Sequence, residues 1–376
     1  MPVLPEGTRL GSEFGREVRV QGLIGEGGQG TVYRVDYDGK PKALKWYKEG
    51  VFLNRDKFEH NLRKNVMQGS PTSEFLWPQD IVHDGGIGFG YIMDLRPSGY
   101  FDAGDIFLDP SKLPSFRRAI DACLGMCSAF RILHNKGYRY QDVSGGNFFV
   151  KPQTGEVLIC DNDNVTSEQD DTGIRGTPRF MAPEIVRGEC APTVQSDRHS
   201  MSVLIFLMLL MQHPLEGRRM AGILDESLRM RLYGTEPLFV FDEDDRSNAL
   251  ATAENNAFKV WPYLPAHMKD MFRTAFSRQA LLNPNRRPPD VQWMRELARF
   301  RSEVVTCHCG NEVFLDGASL RRCERCGAVV GSQLRMELPG YALPVAPGAR
   351  VYACQLSRVR NAEEDLEMQL VVRASR

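Results

Sequence analysis

The chain has 376 residues, and 47 Lys and Arg stand against 48 Asp and Glu, for a net charge of −1. That balance excludes a protein whose main work is to coat nucleic acid or an anionic membrane. Hydrophobic residues at 42% and charged residues at 25% fit a folded globular protein and exclude collagen-like, mucin-like and disordered compositions.

Residues 1–16 hold Pro, Gly and few apolar positions, and read as a tail. No apolar segment follows a basic start there, so a secretory signal is not expected and cytoplasm is the expected location. From Val18 the pattern alternates. Val18, Val20 and Leu23 precede a glycine cluster, and Thr31–Val35, the turn Asp38-Gly39-Lys40 and Ala43–Trp46 follow it. This predicts short strands joined by a tight turn. Phe58, Leu62 and Val66 lie four apart, the spacing of one helical stripe within 55–68. Gly88–Leu95 reads as a further strand.

After Gly99 helical spacing takes over, at 115–135, 199–212, 265–277 and 289–300. The longest apolar run, Val203–Met211, has nine residues. A bilayer span needs about 20, so this run predicts a buried core helix. Strands with one helix, then mostly helices, over roughly 285 residues exceed one core and predict two lobes with a cleft. The expected layout is α+β: a first lobe over 17–98, a second over 99–300, a cysteine unit over 302–330 and a small β module over 331–376. The runs Leu334–Leu338, Val351–Leu356 and Leu366–Val372 predict the strands of that module, which is expected to be incomplete.

Gly25-Glu26-Gly27-Gly28-Gln29-Gly30-Thr31-Val32 is G-x-G-x-x-G-x-V between two strands. Such glycines let backbone N–H groups approach phosphate oxygens. A strand follows the glycines, where a dinucleotide fold would place a helix. Lys45, 15 residues after Gly30, is placed to hold phosphates. Glu59 in the next helix is its candidate partner, and Glu74, past a Gly-Ser-Pro break, is a poorer one. Next, a long helix ends at a glycine and a loop presents Asp142 and, five residues on, Asn147. An aspartate there can accept a proton from a substrate hydroxyl, and the asparagine can ligate a metal ion. His134 at the helix end reads as structural. The strand Val157–Cys160 runs into Asp161-Asn162-Asp163-Asn164. Asp161 is the preferred Mg²⁺ ligand and Asp163 the rival register.

Gly176-Thr177-Pro178-Arg179-Phe180-Met181-Ala182-Pro183-Glu184, Ser196-Asp197 and Asn283–Pro288 complete the order. Over residues 18–300 the chain resembles a eukaryotic-type protein kinase. The resemblance implies that Gly25, Gly27 and Gly30 cover ATP and that Val32 and Ala43 pack on adenine. Lys45 and Glu59 would form the phosphate-orienting pair. Met93 matches the gatekeeper, and Asp94, Leu95 and Arg96 match the hinge. Asp142 would be the catalytic base, and Asn147 and Asp161 would hold Mg²⁺. Glu184 and Arg287 would form a buried bridge, and Asp197 would hold the catalytic-loop backbone. His213–Gly217 resembles the turn after the buried helix.

Three departures stand out. The family's His-Arg-Asp reads Tyr140-Gln141-Asp142, so no arginine at 141 can receive a loop phosphate, and activity is expected not to need loop phosphorylation. The usual lysine two residues after the catalytic aspartate is Ser144. Asp-Phe-Gly reads Asp161-Asn162-Asp163. Thr177 in Gly-Thr-Pro resembles Ser/Thr kinases. A catalytically inactive nucleotide-binding scaffold and a small-molecule kinase are the rival readings; Ala182-Pro183-Glu184 counts against the second.

Cys307, Cys309, Cys323 and Cys326 form C-x-C…C-x-x-C, each pair followed by glycine. Four thiolates suit tetrahedral Zn²⁺ and predict a structural zinc ribbon, with His308 as an alternative ligand. Arg321, Arg322 and Arg325 without a clear aromatic platform make nucleic-acid contact a weak reading. The ribbon after a kinase-like region with Asp-x-Ser-Gly-Gly-Asn and Cys-Asp-Asn-Asp-Asn resembles a bacterial kinase group in tellurium-resistance-associated systems. That resemblance implies a TerY-type von Willebrand A protein and a PP2C-type phosphatase as partners, and stress signalling as the setting.

Overall fold

The computed structural model describes residues 4–52, 54–167, 170, 172–220, 225–251, 255–356 and 361–373. The first lobe is a six-stranded closed barrel in the order β1-β2-β3-β4-β6-β5. Its strands are β1 (Arg9–Ser12), β2 (Glu17–Glu26), β3 (Gly30–Tyr37), β4 (Lys40–Tyr47), β5 (Asp80–His83) and β6 (Phe89–Met93). The expected tail is therefore partly a strand. β1 pairs with β2 through Leu10↔Val18 and with β5 through Gly11↔His83, which closes the sheet. Closure removes both edges and puts Leu10 into the barrel core with Val18, Val20, Val35, Leu44 and Ile92.

Strand alternation sets the other face. Leu44 and Trp46 point into the barrel, while Ala43, Tyr47, Tyr91 and Met93 join a second cluster with Phe58 and Leu62 of helix α1 (Arg55–Gln68). Asn54 caps α1 by accepting from the Lys57 N–H at 2.9 Å. Gly69 ends it at φ 75°, a left-handed value that glycine adopts without strain.

The second lobe opens with β7 (Phe101–Asp102), α2 (Ala103–Leu108) and α3 (Phe116–Asn135). Strands β8 (Tyr138–Arg139), β9 (Phe148–Val150), β10 (Val157–Ile159) and β11 (Thr166–Ser167) follow; β9 pairs with β10, and β8 with β11. Next come α4 (Pro183–Val186), α5 (Val194–Leu210), α6 (Glu226–Arg229), α7 (Asn256–Val260), α8 (Ala266–Ala275), α9 (Arg278–Leu282) and α10 (Asp290–Glu303). The apolar run falls in α5, where every residue from His199 to Leu210 is buried. Thr193 and Ser196 start that helix with a capping box. Among the described residues no helix is long and apolar enough to cross a membrane.

Helix α10 runs directly into two hairpins, β12 (Val304–Thr306) with β13 (Glu312–Phe314) and β14 (Leu320–Arg322) with β15 (Val329–Gly331). Two more follow, β16 (Arg335–Leu338) with β17 (Tyr341–Pro344) and β18 (Arg350–Tyr352) with β19 (Met368–Val371). The run expected as one strand over Val351–Leu356 divides: a short helix covers Ala353–Leu356. This last unit lies against the second lobe. Ser302 donates to the Arg350 carbonyl at 2.7 Å, and Arg295 to the Cys354 carbonyl at 2.8 Å.

Candidate active site and cysteine centre

The glycine loop is the turn between β2 and β3, closed by the Gly27 N–H on the Gly30 carbonyl at 2.8 Å. Its glycines do different jobs. A Cβ on Gly30 would lie 2.4 Å from the Trp46 carbonyl oxygen, so packing on β4 demands glycine there. A Cβ on Gly25 or Gly28 would meet nothing within 4 Å, so packing does not demand glycine there. The loop tip carries Gln29, which sequence reasoning missed. Its Oε1 accepts from Lys45 Nζ at 3.2 Å, and its Nε2 donates to Asn164 Oδ1 at 3.5 Å.

Val32 stands opposite Lys45, and Ala43 opposite Met93, in the strand register. Val32 and Leu95 pack against the cluster that holds Ala43 and Met93, which makes this face of the sheet apolar. Beyond Met93, Asp94 pairs with Lys42 and accepts from Gln79 at 2.8 Å. The Arg96 guanidinium lies over the Phe149 ring at 4.1 Å.

Lys45 is buried and points between two carboxylates. Its Nζ is 3.1 and 3.2 Å from the oxygens of Asp163, and 3.2 Å from Asp161 Oδ1. Burial alone would lower the ammonium pKa, but the two carboxylates outweigh it and raise it above the ordinary lysine value. Asp163 also accepts from Tyr47 OH at 2.7 Å and Tyr91 OH at 3.2 Å. Burial, then the Asp163 charge, push both phenols well above their ordinary pKa, so both stay donors.

The expected Lys45–Glu59 pair is not formed. Glu59 accepts from Arg63 at 2.6 Å and lies 3.5 Å from both Arg55 and His83. Helix geometry is the cause. Asn61 and Asn65 face the loop after β10, donating to the Val165 carbonyl at 2.8 and 2.9 Å. Glu59, two residues from Asn61, is turned about 200° away around the helix.

The catalytic-loop candidates are held from below. Asp197 accepts from the N–H groups of Tyr140 at 2.6 Å and Gln141 at 3.0 Å. This clasp holds Gln141 at φ 75°, a left-handed conformation that costs a non-glycine residue about 1–3 kcal/mol. His134 bridges Asp197 at 3.2 Å and Asp290 at 3.0 Å. Burial disfavours its charge, yet the two carboxylates win and raise its pKa to about 9. It is a buried imidazolium at neutral pH and serves the scaffold.

Asp142 Oδ1 accepts from the Thr177 hydroxyl at 2.8 Å. Burial pushes the carboxyl pKa up, and that hydrogen bond pulls it partly back. Asn147 donates its amide nitrogen to the Asp142 carbonyl at 2.8 Å, which leaves its amide oxygen as a metal donor. Asp161, at φ 53°, keeps about a third of its side chain exposed, whereas Asp163 is fully buried. Oxygen donors from Asn147 and Asp161 suit a hard cation such as Mg²⁺.

Gln141, where the family has arginine, donates to Thr166 Oγ1 at 3.0 Å. The arginine nearby is Arg139. It donates to the same oxygen at 3.1 Å and to the carbonyls of Asp170 and Pro192. These hydrogen bonds tie Arg139 and Gln141 to the segment that follows β10. Glu184 and Arg287 form a bidentate pair at 2.6 and 2.7 Å, almost fully buried. His213 donates from Nε2 to the Arg179 carbonyl at 2.7 Å and accepts from the Leu215 N–H at 3.2 Å on Nδ1. Burial, the dominant influence, lowers its pKa to about 4, so this histidine is neutral.

The four cysteines of the tail converge from the turns of β12–β13 and β14–β15, with all sulfurs within 4.8 Å of one another. Cys307–Cys326 and Cys309–Cys323 stand at 3.5 and 3.6 Å. Tetrahedral Zn–S bonds of about 2.3 Å require S–S edges of about 3.8 Å, so the donor set fits Zn²⁺. Gly310 and Gly327 close the two knuckles at φ 84° and 75°. His308 is not part of that group.

The protein kinase domain family matches residues 100–280. The mouse "Protein kinase C delta type" is 27% identical over 207 residues, 52% of this chain and 30% of the relative. The fission-yeast "Protein kinase C-like 2" is 31% identical over 159 residues, 40% of this chain and 14% of the relative. "Probable serine/threonine-protein kinase zyg-1" of Caenorhabditis elegans is 27% identical over 199 residues, 51% of this chain and 27% of the relative. The chain thus spans less than a third of the length of these relatives. Together the matches support a eukaryotic-type protein kinase, and the mixed strand and helix content fits its two-lobed fold.

Proposed function

We propose that this chain is an ATP- and Mg²⁺-dependent protein kinase that phosphorylates Ser or Thr hydroxyls of protein substrates. What supports it most is one convergence. Lys45 of the barrel and Asp161 of the second lobe meet at 3.2 Å, beside a loop in which Asp142 and Asn147 are hydrogen-bonded together. Lys45 then holds phosphate oxygens, and the glycine loop offers N–H groups to them. Mg²⁺ on Asn147 and Asp161 would neutralise charge on the transferring group. Asp142 already accepts a hydrogen bond from the Thr177 hydroxyl at 2.8 Å; a substrate serine or threonine presents the same donor. Such catalysis is chiefly positioning and charge neutralisation.

The Gly-Thr-Pro of Thr177 and the names of the relatives favour Ser/Thr specificity. Gln141 carries no charge to receive a loop phosphate, which favours activity that needs none. In this reading the cysteine centre is a zinc ribbon, and the location is cytoplasmic. The sequence phrases that resemble the tellurium-resistance-associated kinases point to a TerY-type von Willebrand A protein and a PP2C-type phosphatase as partners in bacterial stress signalling.

Nucleotide binding is the first test. MgATP is expected to raise the melting temperature of the wild type, and more than ATP with excess EDTA. Asp161→Asn should bind ATP but lose the Mg²⁺ increment. An increment that survives in Asp161→Asn would move the metal elsewhere, and no shift with any nucleotide would defeat the reading.

A further inference from the structure

We propose that Asp163, together with Tyr47 and Tyr91, is the device that positions Lys45, and that helix α1 supplies no charge to the site. The proposal rests on the kinase reading above and deepens it.

The phosphate-holding lysine needs an anionic partner to fix a long, flexible side chain in a buried place. Glu59 is committed to Arg63 and His83 on the far side of α1. The carboxylate that meets Lys45 with both oxygens is Asp163. It is fully buried, and its acceptor positions are filled: Lys45 reaches both oxygens, Tyr47 one and Tyr91 the other. Filled in that way, Asp163 is not a free metal ligand, whereas Asp161 is partly exposed.

The three donors come from two adjacent strands of one sheet. Tyr47 is two residues from Lys45 and so shares its face, and Tyr91 is the register partner of Lys45 on β6. Asp163 sits on the turn that begins at Asp161. Lysine position and metal-ligand position are therefore set by one turn. Among the described residues, the side-chain hydrogen bonds from α1 to that segment are those of the Asn61 and Asn65 amides on the Val165 carbonyl. An arrangement of this kind assembles the site without any swing of α1.

The test is ATP affinity by calorimetry in a double-mutant cycle. Removing a charge-assisted contact of this kind is worth about tenfold or more. Asp163→Asn keeps the shape and an acceptor for one tyrosine but loses the charge, and is expected to weaken ATP binding by about that much. In a Lys45→Met background the same change should move ATP affinity by less than about twofold, because Asp163 acts through Lys45. Glu59→Ala removes no contact to Lys45 or Asp163 and should leave ATP affinity within about threefold of wild type. Tyr47→Phe provides a milder variant should Asp163→Asn unfold, with a loss of several-fold expected in the Lys45 background alone.

Unchanged ATP affinity in Asp163→Asn, an equal loss in the Lys45→Met background, or a loss in Glu59→Ala as large as in Asp163→Asn would each overturn the proposal. A wild type that binds no ATP would instead defeat the kinase reading, and this proposal with it.

Discussion

Replacing Arg287 by alanine is expected to cost about 3–5 kcal/mol of stability, the range for stripping one partner from a buried ion pair. Glu184 would be left almost fully buried with its charge unmatched. The guanidinium also donates to the carbonyls of Ala280 at 3.2 Å and Gln195 at 2.9 Å, and those acceptors lose their partner too. For a domain of this size that loss lowers the melting temperature by about 6 °C or more. Arg287→Lys keeps the charge but not the fork, and should lose less. Adding Glu184→Gln to Arg287→Ala should recover part of the loss, because the orphaned charge is removed. A fall under about 2 °C for Arg287→Ala would mean the pair carries little. The bridge ties α4 to the segment before α10, so the same variant should also loosen α4.

Stripping metal from the cysteine centre is the second large effect. Hairpins with three-residue strands are marginal alone. The clusters around them are small: Val305, Leu315 and Ala346 in one, Val313 with two of the cysteines in the other. A structural zinc supplies about 10–16 kcal/mol to such a unit, so both hairpins should open when a strong chelator removes it. The effect reaches the second lobe through Glu312. That carboxylate accepts from Ser115 Oγ at 2.9 Å and from the Phe116 N–H at 2.6 Å, at the start of α3. Losing a cap of this kind costs about 0.5–2 kcal/mol. The chain as isolated should carry one zinc. Chelation should expose four further reactive thiols and lower the melting temperature. Glu312→Ala should reproduce the loss in melting temperature without exposing thiols. A thiol count that chelation leaves unchanged would contradict the zinc centre.

Local chemistry was legible in the sequence, and long-range pairing was not. Lys45, Asp142, Asn147 and Asp161 became candidates because each sits in a short phrase, Lys45 within a strand and the others in a loop or at a strand end. The partner of Lys45 could not, because which side of α1 faces the cleft is settled by Phe58 and Leu62 packing on the sheet. A signal was present nonetheless. Tyr47 lies two residues from Lys45 in a strand, and Asp163 was already a rival carboxylate; period-two alternation would have put the tyrosine on the lysine's face. The strand β1 was missed because Leu10 is its one buried apolar residue, and its pairing with β5 joins residues about 70 apart. Within Val351–Leu356 the apolar pattern could not show that the strand stops at Tyr352 and a helical turn begins.

Transfer of labelled γ-phosphate from MgATP to protein hydroxyls tests the central claim most directly. It compares wild type, phosphatase-treated wild type and Asp142→Asn. The account predicts label on serine or threonine for the first two. It predicts a loss of about 10²–10⁴-fold for Asp142→Asn, the usual effect of removing a general base. No label on any protein from wild type, or equal labelling by Asp142→Asn, would contradict it.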